Sequence, residues 1–259
     1  MLKRLIFALY GVVCYVIFLG TFLYAIGFIG NLGTPTTLDG PATQPLGTAL
    51  AIDAGLLMLF AIQHSVMARQ WFKDRWTRVV PKPVERSTYV LFSSLALILL
   101  FSAWRPMGGA VWSVTDPAGQ VVLRVLFAFG WLLVLVSTFL INHFDLFGLR
   151  QVWLNLIGRP YTSLSFKTPG PYRLVRHPLY VGWFFAFWMT PTMTLAHLVF
   201  AIATTSYILL AIRFEERDLV AFHGRAYEDY RRRVPMLVPF ARRQQEESPR
   251  ADAATASLR

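Results

Sequence analysis

Five short polar stretches carry the groups in this chain best suited to acid–base or ligand-holding chemistry, and each borders a long apolar run. They are Gln63-His64-Ser65, Asn142-His143-Phe144-Asp145, Gly148-Leu149-Arg150-Gln151, Gly170-Pro171-Tyr172-Arg173-Leu174-Val175-Arg176-His177-Pro178-Leu179-Tyr180-Val181-Gly182, and Phe214-Glu215-Glu216-Arg217-Asp218-Leu219 continuing through His223-Gly224 to Tyr227 and Tyr230. Histidine titrates near neutrality and can take a proton from a weakly acidic nucleophile. Arginine grips a carboxylate through a planar fork, and a tyrosine face attracts a cation. An ionisable group beside a membrane span costs several kcal/mol unless it faces a cavity or a partner, so the clustering of these stretches points to one pocket.

Each group also has a plainer explanation. Arg173 and Arg176 can snorkel to lipid headgroups. His64 on its own reads as a hydrogen-bonded core histidine. Glu215 and Glu216 can pair with neighbouring arginines, and as adjacent helical residues they cannot point the same way, so at most one faces a pocket.

The elements that must position these groups are apolar helices. The chain has 259 residues, is 55% hydrophobic and only 15% charged, and has a mean hydropathy of +0.48; a soluble domain carries roughly a quarter charged residues. Four segments are apolar over about the 20 residues a span needs: Leu5 to Ile29, Leu46 to Met67, Tyr89 to Trp104 and Val121 to Ile141. Leu5 to Gly30 is longer than a signal-peptide core and has no A-x-A site, so it is kept as a span. Leu179 to Ile212 is also apolar but is broken around Thr190, Pro191, Thr192 and Thr194, which predicts a hairpin of one short and one longer helix. The expected fold is therefore an all-α, polytopic membrane bundle of about six spans. Residues 1–141 form the acceptor side, 142–240 form a donor-binding segment, and 241–259 form a polar, disordered tail.

Charge sets the orientation. The Met67 to Ser87 connection carries Arg69, Lys73, Arg75, Arg78, Lys82 and Arg86, and the stretch after the fourth span carries Arg150, Arg159, Lys167, Arg173 and Arg176. Asn31 to Pro45 holds one charge, Asp39, and Arg105 to Gln120 holds Arg105 and Asp116. The basic connections, and with them both termini, are expected in the cytoplasm. The net charge of +11 lies between apolar runs rather than on one soluble face, so membrane lipids are expected partners and nucleic acid is not. A single cysteine, Cys14, excludes a disulfide or thiolate–metal framework within one chain. No metal site is expected, and a homo-oligomer stays open.

The pattern Gly-Pro-Tyr-x-x-x-Arg-His-Pro-x-Tyr-x-Gly from Gly170 to Gly182, then Glu215-Glu216-x-x-Leu219, Gly224-x-x-Tyr227-x-x-Tyr230, Val234-Pro235 and Pro239, resembles the isoprenylcysteine carboxyl methyltransferase superfamily. One position departs: His223 stands before Gly224 where that pattern has Phe. The resemblance implies an S-adenosylmethionine site formed by Tyr172, Arg173, Arg176, His177, Pro178, Tyr180, Glu215, Glu216 and Tyr227. Among these, tyrosine faces would meet the sulfonium, an arginine the carboxylate, and a glutamate the amino group or ribose. No glycine-rich loop following a strand is present, which excludes a soluble doubly wound methyltransferase.

The stretches around His64, Glu85-Arg86-Ser87-Thr88-Tyr89 and Asn142 to Gln151 are similar to the NnrU-like branch, and within it to bacterial enzymes that methylate methanethiol to dimethyl sulfide. That resemblance implies a bacterial inner-membrane enzyme acting on a small hydrophobic thiol. A thiol of pKa near 10 costs about 4 kcal/mol to ionise at neutral pH, so a base is needed. His143, oriented by Asp145 or Asn142, and His64 are the candidates, with Asn142, Arg150 and Gln151 at the acceptor. Asp39 is a lesser candidate at the far end. Alternatives are a larger lipidic acceptor, a non-enzymatic haem or nitrogen-oxide protein with His64 and His143 as axial ligands, and a transporter of a small anion.

Overall fold

The computed structural model describes residues 1–239; the tail from 240 onward, including the stretch expected to be disordered, lies outside the described residues. Among the described residues five helices are long and apolar enough to cross a membrane: α1 (Leu2–Gly30), α2 (Leu46–Ala68), α4 (Lys82–Ala103), α5 (Pro117–Ile141) and α9 (Leu195–His223). Shorter helices lie between and after them: α3 (Gln70–Trp76), α6 (His143–Leu146), α7 (Leu149–Leu156), α8 (Pro178–Trp188) and α10 (Arg225–Arg233). The chain is a multi-pass, all-α membrane bundle. Val16, Leu23, Val125 and Leu132 turn outward from α1 and α5 as lipid-facing surface, while Phe28, Leu100, Trp131 and Phe200 fill the interior.

Two helices extend further than hydropathy suggests. α4 begins at Lys82, well before Tyr89, because Pro81 sits at its N-cap, Pro83 occupies its first turn and Glu85 complements the helix dipole there. α9 continues past Ile212 to His223 as one helix, so Glu215 and Glu216 ride on a spanning element.

The expected hairpin is present, with a very short first arm. α8 has 11 residues, roughly 16 Å of rise against about 30 Å of hydrocarbon. At its far end the strand β2 (Thr192–Thr194) pairs antiparallel with β1 (Ala110–Ser113), which ties the hairpin tip to the loop between α4 and α5. Along its length α8 crosses α5 with almost no gap: a Cβ on Gly130 would lie 2.7 Å from the Gly182 carbonyl, and one on Gly182 would lie 2.7 Å from that of Gly130. Small residues let two helices approach this closely.

The short arm dictates what lies before it. The chain must enter the bundle to reach Pro178, through an irregular stretch and a 3-10 turn at Gly170–Arg173. Buried irregular backbone needs partners. The amides of Arg176 and His177 donate to the carbonyls of Pro235 and Met236 at 2.9 and 3.2 Å, which gives the Val234-Pro235 motif its place.

Candidate active site

The end of α5 separates two clusters. Ser137 and Thr138 are consecutive, and helical geometry turns them about 100° apart. The Ser137 hydroxyl lies beside Tyr172, whereas Thr138 contacts His143.

On the Ser137 side, Arg176 is the keystone. Its side chain is almost fully buried; Nε donates to Glu216 Oε1 at 2.6 Å, and Nη1 donates to the carbonyls of Val234 at 2.6 Å and Arg231 at 3.2 Å. His177 Nε2 reaches the same Glu216 oxygen at 3.1 Å. Glu215 flanks the same imidazole, its Oε2 3.9 Å from His177 Nδ1, but remains half-exposed and accepts from the Tyr180 hydroxyl at 2.8 Å. The adjacent glutamates thus flank one histidine and differ in exposure: Glu216 is tied into the fold by Arg176, and Glu215 keeps an open side.

Around Glu215 stand phenols. The Tyr172 and Tyr227 hydroxyls and the Ser137 hydroxyl are buried with no protein hydrogen-bond partner among the described residues. Burial raises the phenols of Tyr172 and Tyr227 above their ordinary values and the carboxylates add to it: Glu215 beside Tyr172, and Glu216 and Glu215 beside Tyr227. Burial also pushes Tyr230 up to about 12. All three stay protonated at neutral pH. Tyr230 donates to the Tyr172 carbonyl at 2.6 Å. The ring of Phe166 packs on His223, Tyr227 and Tyr230 at 5.1, 5.7 and 5.4 Å, so His223 keeps an aromatic contact where the superfamily pattern has Phe. The Arg173 side chain is exposed at the margin and makes no hydrogen bond among the described residues.

On the Thr138 side, His143 is 4% exposed and caged by rings. It stacks on Phe139 at 4.2 Å and 4°, and meets Phe147 and Tyr15 edge-on at 4.8 and 5.7 Å. Nδ1 lies 2.9 Å from Thr138 Oγ1 and Nε2 lies 2.8 Å from the Tyr15 hydroxyl. Burial moves the His143 pKa below its ordinary value, which leaves the ring neutral at pH 7. A small apolar pocket beside it is lined by Phe18, Phe22, Leu135, Thr138 and Phe147. Phe22 packs edge-on against Trp183 of α8 at 6.4 Å, one turn from Tyr180, so the pocket points toward the other cluster.

Known proteins share this chain nearly end to end. Methanethiol S-methyltransferase of Crocosphaera subtropica is 63% identical over 239 residues, covering 92% of this chain and 94% of that protein. That of Mycobacterium tuberculosis is 53% identical over 242 residues, covering 93% and 99%. The chain belongs to the methanethiol S-methyltransferase family. Bovine nurim is more distant, 31% identical over 207 residues, 75% of this chain and 78% of that protein. No protein-family model and no solved structure matches the chain. Membership of a methyltransferase family calls for a methyl donor.

Three side chains sit differently from the sequence expectation. Asp145 does not orient His143: its carboxylate accepts from Arg150 Nη1 at 2.9 Å and from the Tyr161 hydroxyl at 3.3 Å, because the short α6 turns it toward α7. Asn142 caps α6 by accepting from the Asp145 amide at 3.1 Å, and Gln151 donates to the Asp145 carbonyl at 3.1 Å. The partners of His143 are Thr138 and Tyr15, neither singled out by sequence; Tyr15 lies 128 residues away, inside the first apolar run.

Arg150 and Asn142 do line an open apolar groove of about 590 Å³, with Val12, Phe144 and Trp153. His64 lies on a separate patch, stacked on Phe60 at 5.1 Å, with Nδ1 3.2 Å from Ser93 Oγ and Nε2 3.0 Å from the Tyr89 hydroxyl. Tyr89 and Phe147 pack between it and His143. With every ring nitrogen of both histidines hydrogen-bonded, neither is presented as an axial ligand to a shared haem.

Proposed function

We propose that the protein transfers a methyl group from S-adenosylmethionine to methanethiol, releasing dimethyl sulfide. The observation that carries this reading is the pairing of two unlike clusters across the end of α5: unpartnered buried hydroxyls around a half-exposed carboxylate, and a neutral histidine beside a small apolar pocket.

The donor site follows from the groups left open. Glu215 and the Tyr172 and Tyr227 hydroxyls suit an amino group and ribose hydroxyls, Arg173 suits a carboxylate, and the Tyr180 and Tyr227 rings suit a sulfonium. Arg176, His177, Pro178 and Glu216 hold the backbone that presents them. S-adenosylmethionine bound there supplies an electrophilic methyl group and a positive charge that favours a thiolate nearby. On the acceptor side, Phe18, Phe22, Leu135 and Phe147 line an apolar pocket beside His143 that holds little more than one water, so only a small acceptor enters it, with local repacking. His143 is the base on which the proton released by the thiol is finally balanced, with Thr138 orienting its ring. The small pocket supports methanethiol over a prenylated cysteine carboxylate.

Arg150, Asn142 and Gln151 organise the groove outside this pocket. The protein resides in the bacterial inner membrane with both termini in the cytoplasm, a reading supported by the basic connections. Purified protein incubated with labelled S-adenosylmethionine and a panel of thiols, carboxylates and amines tests the reaction. Labelled dimethyl sulfide in the headspace is the expected product, and transfer only to carboxylates or amines would overturn the reading. On a Cys14→Ala background, single cysteines at 75 and 160 are expected to label from the cytoplasm only, and at 40 and 112 from the outside only.

A further inference from the structure

The hydrogen bonds of His143 determine its tautomer. A threonine hydroxyl has one proton, and Thr138 gives it to the Leu135 carbonyl at 2.7 Å. Toward His143, 2.9 Å away, Thr138 can therefore only accept, so Nδ1 carries the ring proton. Nε2 is then bare, and it accepts from the Tyr15 hydroxyl at 2.8 Å. The rings of Phe139, Phe144 and Phe147 close the other approaches to the imidazole, so the one basic atom of His143 lies behind the Tyr15 oxygen.

Tyr15 stands on a particular stripe of α1. Ala8 and Val12 line the open groove, Leu19 lines the inner pocket, and Tyr15 falls between them at helical spacing on the same face. On the opposite wall Phe144 faces the groove and His143 the pocket. Tyr15 lines neither space itself; its hydrogen bond to His143 lies between the α1 residues that line the groove and the one that lines the pocket.

We propose that Tyr15 is the catalytic residue that receives the thiol proton, relaying its own to His143. The proposal rests on the thiol-methylation reading above. In the step, the thiol S–H bond breaks as its proton passes to the Tyr15 oxygen, and the Tyr15 proton passes to His143 Nε2. The sulfur lone pair forms the new S–CH3 bond while the bond from that methyl to the donor sulfonium breaks, its electron pair staying on the donor sulfur. The products are dimethyl sulfide, a neutral thioether and one imidazolium, so the positive charge moves from sulfonium to His143, which later returns the proton to water. The phenol ends as it began. Among the described residues no carboxylate faces the ring: α1 offers Tyr15, α5 offers Thr138, and on α6 Asp145 is engaged by Arg150, so burial keeps the ring neutral before the step.

The test compares wild type with Tyr15→Phe in detergent, using methanethiol and 2,2,2-trifluoroethanethiol, a small thiol made more acidic by its fluorines. The expected result is a roughly 100-fold lower turnover of methanethiol at pH 7 with unchanged donor affinity by calorimetry. The variant's rate should climb with pH through the thiol's own ionisation, and the acidic thiol should recover most of the loss. In 15N spectra of histidine-labelled protein, the wild-type His143 signal, identified by its absence in His143→Ala, should show a bare Nε2 whose shift moves in Tyr15→Phe. Near-wild-type turnover with an unchanged pH profile would overturn the relay while leaving the methyltransferase reading standing; a wild type that methylates no thiol would overturn both. If Tyr15→Phe loses donor binding through misfolding, fluorotyrosine at position 15 keeps the shape and changes the phenol's acidity, and a rate indifferent to that change would also overturn it.

Discussion

Opposite ends of the bundle each hold a buried histidine 3.1 Å from a carboxylate, and only one of them has anything left to bind. At the outer end by charge bias, Asp39 pairs with His197 Nδ1 at 3.1 Å, accepts from Asn31 at 2.5 Å and also from Thr194, while His197 Nε2 donates to the Phe187 carbonyl at 2.9 Å. Every polar atom of that pair is answered, and it latches the 31–45 loop to the start of α9 beside the β1–β2 pairing. At the other end His177 meets Glu216 at 3.1 Å, but one residue away Glu215 is half-exposed, with the unpartnered phenols of Tyr172 and Tyr227 nearby. A satisfied network rigidifies, whereas an unsatisfied buried group persists where a ligand completes it. The same residue pair therefore closes on itself at one end and borders open polar groups at the other.

The strongest way to break the comparison is at Arg176. Arg176→Ala strips Glu216 and two carbonyls of their donor in a nearly dry setting, and losing one partner of a buried pair costs about 3–5 kcal/mol. Thermal unfolding in detergent should show a large drop together with lost donor binding; a stable variant that merely binds donor weakly would move Arg176 from the scaffold to the ligand. His143→Ala should lower turnover by at least about 100-fold with donor affinity hardly changed, measured by single-turnover methyl transfer beside calorimetry. A variant keeping more than about a tenth of wild-type turnover would remove His143 as the base.

Glu215→Gln sharpens the contrast. The side chain is 44% exposed, so the melting temperature should stay put, while donor affinity falls by about tenfold, the loss expected for one charge-assisted hydrogen bond. Asp39→Asn should do the reverse, lowering stability by about 1–2 kcal/mol and leaving methyl transfer close to wild type. Its pH dependence has a definite sign. Burial opposes ionisation of Asp39, but His197, Thr194 and Asn31 together hold its carboxyl below the ordinary value of 3.8. A lowered folded-state pKa contributes stability that is present above the ordinary value and lost as pH falls through the folded one. The wild-type melting temperature should therefore drop below about pH 4 more steeply than that of Asp39→Asn, and parallel curves would show that Asp39 is no latch.

Hydropathy and motif spacing were enough for the all-α membrane fold, the broken hairpin and the grouping of Arg176, His177, Tyr180, Glu215 and Glu216, because spans are long, local and apolar and because the two motifs sit at neighbouring ends of α8 and α9, where both glutamates meet His177. They were not enough for the partners of His143. A run such as Leu5 to Ile29 is uniformly apolar, and a tyrosine inside it carries no local mark of function; Tyr15 acquires a role only when α1 packs beside the end of α5. Asp145, two residues from His143, looked like its orienting acid, yet the turn of a four-residue helix aims it at Arg150. The division of labour between Arg176, bound inward by Glu216 and two carbonyls, and Arg173, left at the margin, likewise depends on how far the chain must enter the bundle to meet an 11-residue α8. Periodicity determines which residues share a face and which end of the bundle is basic; which polar groups find partners, and which are left open to a ligand, is decided by contacts between segments far apart in the chain.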